Sequence, residues 1–251
     1  MSQRFEGKTI LITGGSSGMG QAAAQRILNE GGRVIITGRR QQSLDQAIAQ
    51  FDYSQRASAI AADVSDLNAL DDLMKAIRAE FSTLNGIFAN AGFGKFESSL
   101  ESNEEDFDSI FGANVKGVFY TIQKGLELLQ NPGAIVINAS WVAHRGLPNG
   151  ALYSATKAAV QSFVETLTAE FGRKGIRINS ISPGIIATPI MEKIGMREEE
   201  IKFWQGQIPL GRLGHPQEVA NLVAFLLSDE ASYIAGEDIL IDGGLTRTVA
   251  M

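Results

Sequence analysis

The stretch TGGSSGMG, Thr13 to Gly20, decides how this chain folds. It overlaps the run KTILITGG, which is apolar and β-branched and closes on glycine. It leads into Met19 to Asn29, a helical segment stopped by Gly31 and Gly32. Gly14, Gly18 and Gly20 let the chain turn tightly and let backbone approach a ligand with no Cβ in the way. The loop opens a helix, whose N-terminal N–H groups and dipole favour phosphate. Gly18, Gly20 and Ala23 also match the small-residue spacing that lets a helix lie close on a sheet. Glycines alone fit an ordinary tight turn. The strand before them and the helix after them are the context a dinucleotide-binding loop requires.

Outward from this loop the same alternation repeats. RVIITG, ASAIAADV, NGIFANAG, GAIVINAS, GIRINSISPG and EDILIDGG read as six further strands. Between them lie a helix near Ser43 to Phe51 and one after Ser65, a candidate N-cap, with Leu70, Leu73, Met74, Ile77 and Phe81 at helical spacing. A long helix is expected over Asp106 to Gln130, with Phe107, Ile110, Phe111, Val115, Val118 and Phe119 on its apolar stripe. Another is expected over Leu152 to Phe171, and a last one begins at Pro216, a good first helical residue. The order predicts a doubly wound α/β fold: a mostly parallel seven-stranded sheet with helices on both faces and strands buried on both sides. No Pro/Ser-rich linker or repeat divides the 251 residues, so they read as one domain. The irregular part is Thr188 to Gly214.

Composition narrows the function classes. The 22 basic and 28 acidic residues leave a net charge of −6, a poor basis for binding nucleic acid or an anionic membrane. There is no cysteine, which excludes disulfides and thiolate metal sites, and the two histidines, His144 and His215, give no metal-ligand spacing. The polar start MSQRFEGK has no apolar signal region, and no run of about 18 apolar residues occurs, so a cytoplasmic location is expected.

LYSATK places Tyr153 and Lys157 at i and i+4, on one helix face. An ammonium about 4 Å from a phenol, at an effective dielectric near 20, is worth roughly 4 kcal/mol, enough to bring a tyrosine from about 10 toward neutral pH. Alone, the pair reads as two unrelated surface residues. Ser140 at the end of the fifth strand, Asn114 interrupting the apolar stripe of the long helix, and the turn Asn90-Ala91-Gly92 after the fourth strand gather at the carboxyl end of the sheet. Ligands bind there in open α/β sheets.

With these residues together, the chain resembles the short-chain dehydrogenase/reductase family over nearly its whole length. Thr13 to Gly20 matches the family's T-G-x-x-x-G-x-G; Asn90-Ala91-Gly92 matches its N-A-G, with Ala89 where a second asparagine is common. Asn114, Ser140, Tyr153 and Lys157 match its catalytic tetrad. The resemblance implies hydride transfer between a nicotinamide cofactor and a carbonyl or carbinol carbon. Tyr153 would be general acid or base, and Lys157 would lower its pKa and hold ribose hydroxyls. Ser140 would hydrogen-bond the substrate oxygen, and Asn114 would support a water leading from Lys157 to solvent. Gly14, Ser16, Ser17, Gly18, Met19 and Gly20 would carry the cofactor's phosphates, and Asp63-Val64 would border its adenine. Pro183-Gly184, Ile186 and Thr188 would cradle the nicotinamide. A symmetric homotetramer is also implied, with the two long helices forming one interface and the last strand and tail another.

VIITGRR, Val34 to Arg40, sets the cofactor. In a dinucleotide fold, an acid at the end of the second strand binds a free ribose 2′-hydroxyl, whereas an arginine accommodates a 2′-phosphate. Gly38 stands where the acid would be. Arg39 offers a planar fork for phosphate and Arg40 adds charge, which predicts NADP(H) over NAD(H). The substrate is less specified. A lid within 188–214 carries Ile190, Met191, Ile194, Met196, Phe203 and Trp204, and Phe93, Trp141 and Leu147 stand beside the catalytic motifs. They suit an apolar or aromatic ketone, aldehyde or alcohol, or they are lid packing or an oligomer contact. His144 and Arg145 belong to a solvated loop or favour an anionic substrate. A 3-oxoacyl reductase of fatty-acid synthesis is a second reading, and it needs a basic surface for a carrier protein. A non-catalytic cofactor-sensing regulator is a third, and it has no need of Tyr153 beside Lys157.

Overall fold

Five consecutive buried residues, Thr9–Thr13, form β1. A strand covered on both faces and paired on both edges requires that pattern. In the computed structural model, which describes residues 3–189, 191 and 195–249, β1 lies inside a sheet of seven strands. These are β1, β2 (Arg33–Gly38), β3 (Ala57–Ala61), β4 (Leu84–Ala89), β5 (Leu129–Asn138), β6 (Ile176–Pro183) and β7 (Asp238–Ile241). They run in the order β3-β2-β1-β4-β5-β6-β7, and every pairing is parallel. β1 therefore touches β2 on one side and β4 on the other. Their carboxyl ends bound the crevice where the strand order reverses, the place where open sheets bind ligands.

Alternate side chains enter opposite layers. Ile10, Ile12, Val34, Ile36 and Phe88 pack against α1 (Gly18–Asn29), α2 (Gln41–Gln50) and a later helix, Pro216–Leu227. Leu11, Ile35, Ile87, Ile135 and Ile137 face the other layer. That layer is made of α3 (Leu67–Phe81), α5 (Gly117–Gly125) and α6 (Ala151–Phe171), with the short α4 (Glu104–Phe111) between α3 and α5 in the chain. The period of two along each strand thus builds two cores on one sheet, as expected of a doubly wound fold. α7 (Glu198–Gln207) lies in the irregular part, and Pro216–Leu227 is α8. No helix among the described residues is long and apolar enough to cross a membrane.

Several expected boundaries shift for local reasons. The third strand ends at Ala61 rather than running on to Val64, because Asp63 turns the chain by accepting bonds from the backbone and hydroxyl of Ser65. The cap of α3 is Asp66, not Ser65; its carboxylate accepts from the backbone of Asn68 and Ala69. The long helix starts two residues early, at Glu104, where Asn103 and Asp106 form a capping box. It does not run unbroken to Gln130: residues Gly112–Lys116 form a π-turn, α5 stops at Gly125, and Leu129 is already in β5. β3 and β7 are only half buried, contrary to the expectation for every strand, since each is an edge strand.

Candidate active site

The end of β1 is locked to the end of β4. Thr13 Oγ1 accepts from the backbone N–H groups of Asn90 and Ala91, both at 2.9 Å. Asn90 Nδ2 donates to the carbonyls of Thr13 at 2.9 Å and Gly14 at 3.2 Å. The turn after β4 therefore braces the glycine loop. Gly18 has a φ of +56°, open to glycine. A Cβ on Gly20 would lie 2.3 Å from the carbonyl oxygen of Gly14, so only glycine allows this approach of helix to loop. Ser17 precedes α1 without a side-chain cap, and no acidic residue occupies its first turn. The first N–H groups of α1 lack that partner where Ser16, Ser17, Gly18 and Met19 line an open cleft of about 1370 Å³.

The same cleft is lined at one end by Gly38, Arg39 and Arg40 and at the other by Asn90, Ala91, Gly92, Phe93, Asn138, Tyr153, Lys157 and Thr188. Asp63 and Val64 line it as well. Gly38 has no backbone need to be glycine: a Cβ there would meet only Leu44 at 3.7 Å and Ser16 Oγ at 3.8 Å. Arg39 and Arg40 are exposed at the start of α2, which has no acidic residue in its first turn, so their charge adds to the positive end of the helix. Neither makes an ion pair among the described residues.

At the other end, α6 projects Tyr153 and Lys157. Lys157 is 4% exposed and donates from Nζ to the backbone oxygen of Asn138 at 2.7 Å. Its Nζ lies 5.7 Å from the centre of the Tyr153 ring. The expected electrostatics are reversed here. Burial pushes the Tyr153 phenol up from its ordinary value, and a hydrogen bond with Ser140 pulls the other way. Lys157 itself is pushed down to about 8 by burial. Desolvation is the leading cause for both groups, because it disfavours the phenolate and the ammonium alike.

The lysine gives a stability test. Below about pH 8 the folded chain carries a buried ammonium, whereas unfolded lysine holds its proton to about 10.5. Between these values the unfolded state binds more protons, so stability rises with pH, by on the order of 3 kcal/mol in total. Denaturant unfolding of the natural protein and of Lys157→Met at pH 8 and pH 10 checks this. The natural protein gains stability relative to the variant; a pH-independent difference contradicts the assignment.

Asn114 is fully buried within the π-turn. Its amide donates to Phe93 O at 2.8 Å and Thr156 Oγ1 at 3.1 Å, and its Oδ1 accepts from Phe93 N at 2.9 Å. The side chain thus clamps the turn after β4 to α6, one residue from Lys157. Ser140 caps a 3₁₀ turn, Trp141–Ala143, beyond β5.

Other expected residues are less directly placed. Pro183 ends β6, Gly184 packs on Asp242, and Ile186 bridges to Gly214; of that segment, Thr188 lines the cleft. Among the expected substrate contacts, Phe93 lines the cleft. Trp141, Leu147, Met191 and Trp204 join an apolar cluster that also packs on Tyr153, with the two indoles edge to face at 5.5 Å. Ile190 and Ile194 lie outside the described residues. His144 and Arg145 are exposed, as a solvated loop requires, and both bond within the chain: His144 Nε2 lies 2.7 Å from Asp238, and Arg145 donates to Leu245 O at 2.8 Å. Sequence reasoning missed Phe96, whose ring stands edge to face on Tyr153 at 5.4 Å. It is close in sequence to Asn90-Ala91-Gly92, but no pattern aims it.

Known proteins resemble this chain in sequence and fold. A family model described as enoyl-(acyl carrier protein) reductase matches residues 14–246. The chain is 38% identical over 247 residues to an oxidoreductase, asL5, from Sarocladium schorii, covering 98% of each. It is 34% identical over 245 residues to a 3-oxoacyl-(acyl-carrier-protein) reductase from Thermotoga maritima, covering 96% of this chain and 99% of the relative. A crystal structure of levodione reductase superposes with a TM-score of 0.92 at 34% identity, covering 96% of this chain and 98% of that one.

Proposed function

We propose a function from one premise: this chain belongs to the short-chain dehydrogenase/reductase family. It is an oxidoreductase of that family's NAD(P)-dependent kind. Our reading is that the whole chain forms one catalytic domain, with a substrate lid within 188–214, that interconverts an apolar or aromatic ketone or aldehyde with its alcohol using NADP(H). The observation that carries it is the single cleft joining Arg39 and Arg40 to Tyr153 and Lys157.

The residues fit the cofactor. The glycine loop offers a cradle that Cβ atoms would fill, and the uncapped start of α1 suits a phosphate. Arg39, with Arg40, would take the 2′-phosphate, Asp63 and Val64 the adenine side, and Lys157 the ribose hydroxyls. The bound dinucleotide supplies the hydride chemistry. Tyr153 holds the proton at its phenolic oxygen, gives it to the substrate oxygen in reduction and accepts it in oxidation. Its raised pKa keeps the proton on the phenol at neutral pH. Ser140 hydrogen-bonds the same substrate oxygen, where charge develops. Asn114 holds the Asn90-Ala91-Gly92 turn and α6 at their working distance. Phe93 lines the cleft and Phe96 packs on the Tyr153 ring, which would give the substrate side an aromatic surface.

The Thermotoga relative favours a second reading, reduction of a 3-oxoacyl group on a carrier protein. The cleft's lining weighs against it, since it includes Glu104, Glu105 and Asp108. An acidic carrier would meet like charge there. Turnover with NADPH across free cyclic and aromatic ketones and a 3-oxoacyl carrier protein tests the choice. We expect the free ketones to be reduced. Turnover confined to the carrier substrate would select the second reading, and none on any substrate would favour the regulator. We also read the chain as a cytoplasmic homotetramer. Support comes from the stacked Phe107 and Phe111, the former 46% exposed, and from the Phe119–Phe163 contact between α5 and α6.

A further inference from the structure

Asn138, the last residue of β5, is 6% exposed and lines the cleft. Its Nδ2 donates to Asn90 Oδ1 at 3.0 Å, and its backbone oxygen receives Lys157 Nζ at 2.7 Å. Its Oδ1 is buried and has no partner among the described residues. Of the buried side-chain atoms in that condition, it alone belongs to a cleft-lining residue. A buried amide oxygen without a donor costs roughly 1–3 kcal/mol, so a ligand that supplies the donor is favoured.

The polarity of this amide is fixed by its neighbours. The carbonyls of Thr13 and Gly14 can only accept, so Asn90 must turn its NH₂ toward them. Asn90 then presents Oδ1 to Asn138, which must answer with its own NH₂. Asn138 Oδ1 is left as an obligate acceptor on a cleft-lining residue whose backbone oxygen receives the donor Lys157. An acceptor next to a donor is the complement of a hydroxyl, which gives one hydrogen bond and takes one. A carboxamide NH₂ or an adenine amino group would leave the ammonium unmatched.

We propose that Asn138 Oδ1 accepts a hydrogen bond from a ribose hydroxyl on the nicotinamide side of the dinucleotide, next to Lys157. This adds a cofactor-binding residue to those the family motifs match, and it rests on the nicotinamide-cofactor reading above. The link through Asn90 would couple that ribose to the glycine loop, so one chain of amides spans both halves of the cofactor site.

Calorimetric titration of NADP⁺ and of adenosine 2′,5′-bisphosphate, which lacks the nicotinamide ribose, tests it. The proteins are the natural chain, Asn138→Leu and Asn138→Asp. Both variants lose the bond to Asn90, but only aspartate keeps an acceptor. We expect Asn138→Leu to bind NADP⁺ about tenfold more weakly than Asn138→Asp. We expect the two variants to bind the bisphosphate equally. Equal NADP⁺ affinity in the two variants overturns the proposal, as does a parallel loss for both ligands, which would mean that only the glycine loop was disturbed. Should leucine prevent folding, Asn138→Ala takes its place with the same criteria. If the natural chain binds NAD⁺ instead, NAD⁺ and adenosine 5′-phosphate replace the pair. If it binds neither dinucleotide, the cofactor reading itself fails, and this inference with it.

Discussion

Tyr153→Phe is expected to lower turnover by about 10²- to 10⁴-fold, the usual contribution of a positioned proton donor. The variant keeps the ring, and with it the edge contact with Phe96 and the packing against the lid cluster. It removes only the phenolic oxygen that moves the proton and pairs with Ser140. Cofactor affinity, measured by titration in the absence of substrate, should therefore be unchanged. Retention of more than about a tenth of the rate would remove Tyr153 from the proton-transfer role. In the oxidising direction the base form is needed. Because burial holds the phenol above its ordinary value, the natural enzyme should oxidise alcohols faster as pH rises.

Arg39→Ala is expected to erase a preference for NADPH over NADH that is about ten- to hundredfold in the natural protein. The surroundings of the second strand's end favour a phosphate there. Gly38 leaves room for a side chain, yet has none, so no carboxylate repels a 2′-phosphate. Arg39 and Arg40 line the cleft at the positive end of α2, and Ser16 Oγ stands across from Gly38. A planar guanidinium meets phosphate with two parallel bonds, which a hydroxyl cannot reproduce. Steady-state kcat/KM for both cofactors, before and after substitution, checks this. Equal values in the natural protein, or equal losses in the variant, would contradict the reading of the arginine pair.

Most of the architecture was legible because it follows from periodicity. Ile10, Leu11 and Ile12 form one apolar run, and in the sheet they divide between two cores. The glycine loop was legible because backbone approach there forbids a Cβ, as at Gly20. Two features were not. The π-turn at Gly112–Lys116 has no signature in residue spacing; it places Asn114 where it can reach both Phe93 and Thr156, which are distant in sequence. The balance between burial and charge at Tyr153 and Lys157 was misjudged from spacing alone. The i, i+4 rule places two side chains on one face but does not say how much water either one loses. In sequence, Asn138 is only a polar residue at the end of an apolar run. Its free oxygen is defined by the orientation of Asn90, which only the fold supplies.

The central claim is that this cleft delivers a hydride to a carbonyl carbon. The direct measurement is reduction of a cyclic ketone with NADPH deuterated at the transferring position of C4, followed by mass spectrometry of the alcohol. The account predicts a single deuterium on the carbinol carbon, with product formation lost in Tyr153→Phe. Alcohol formed without the label, or no alcohol from any ketone while the cofactor binds normally, would contradict it.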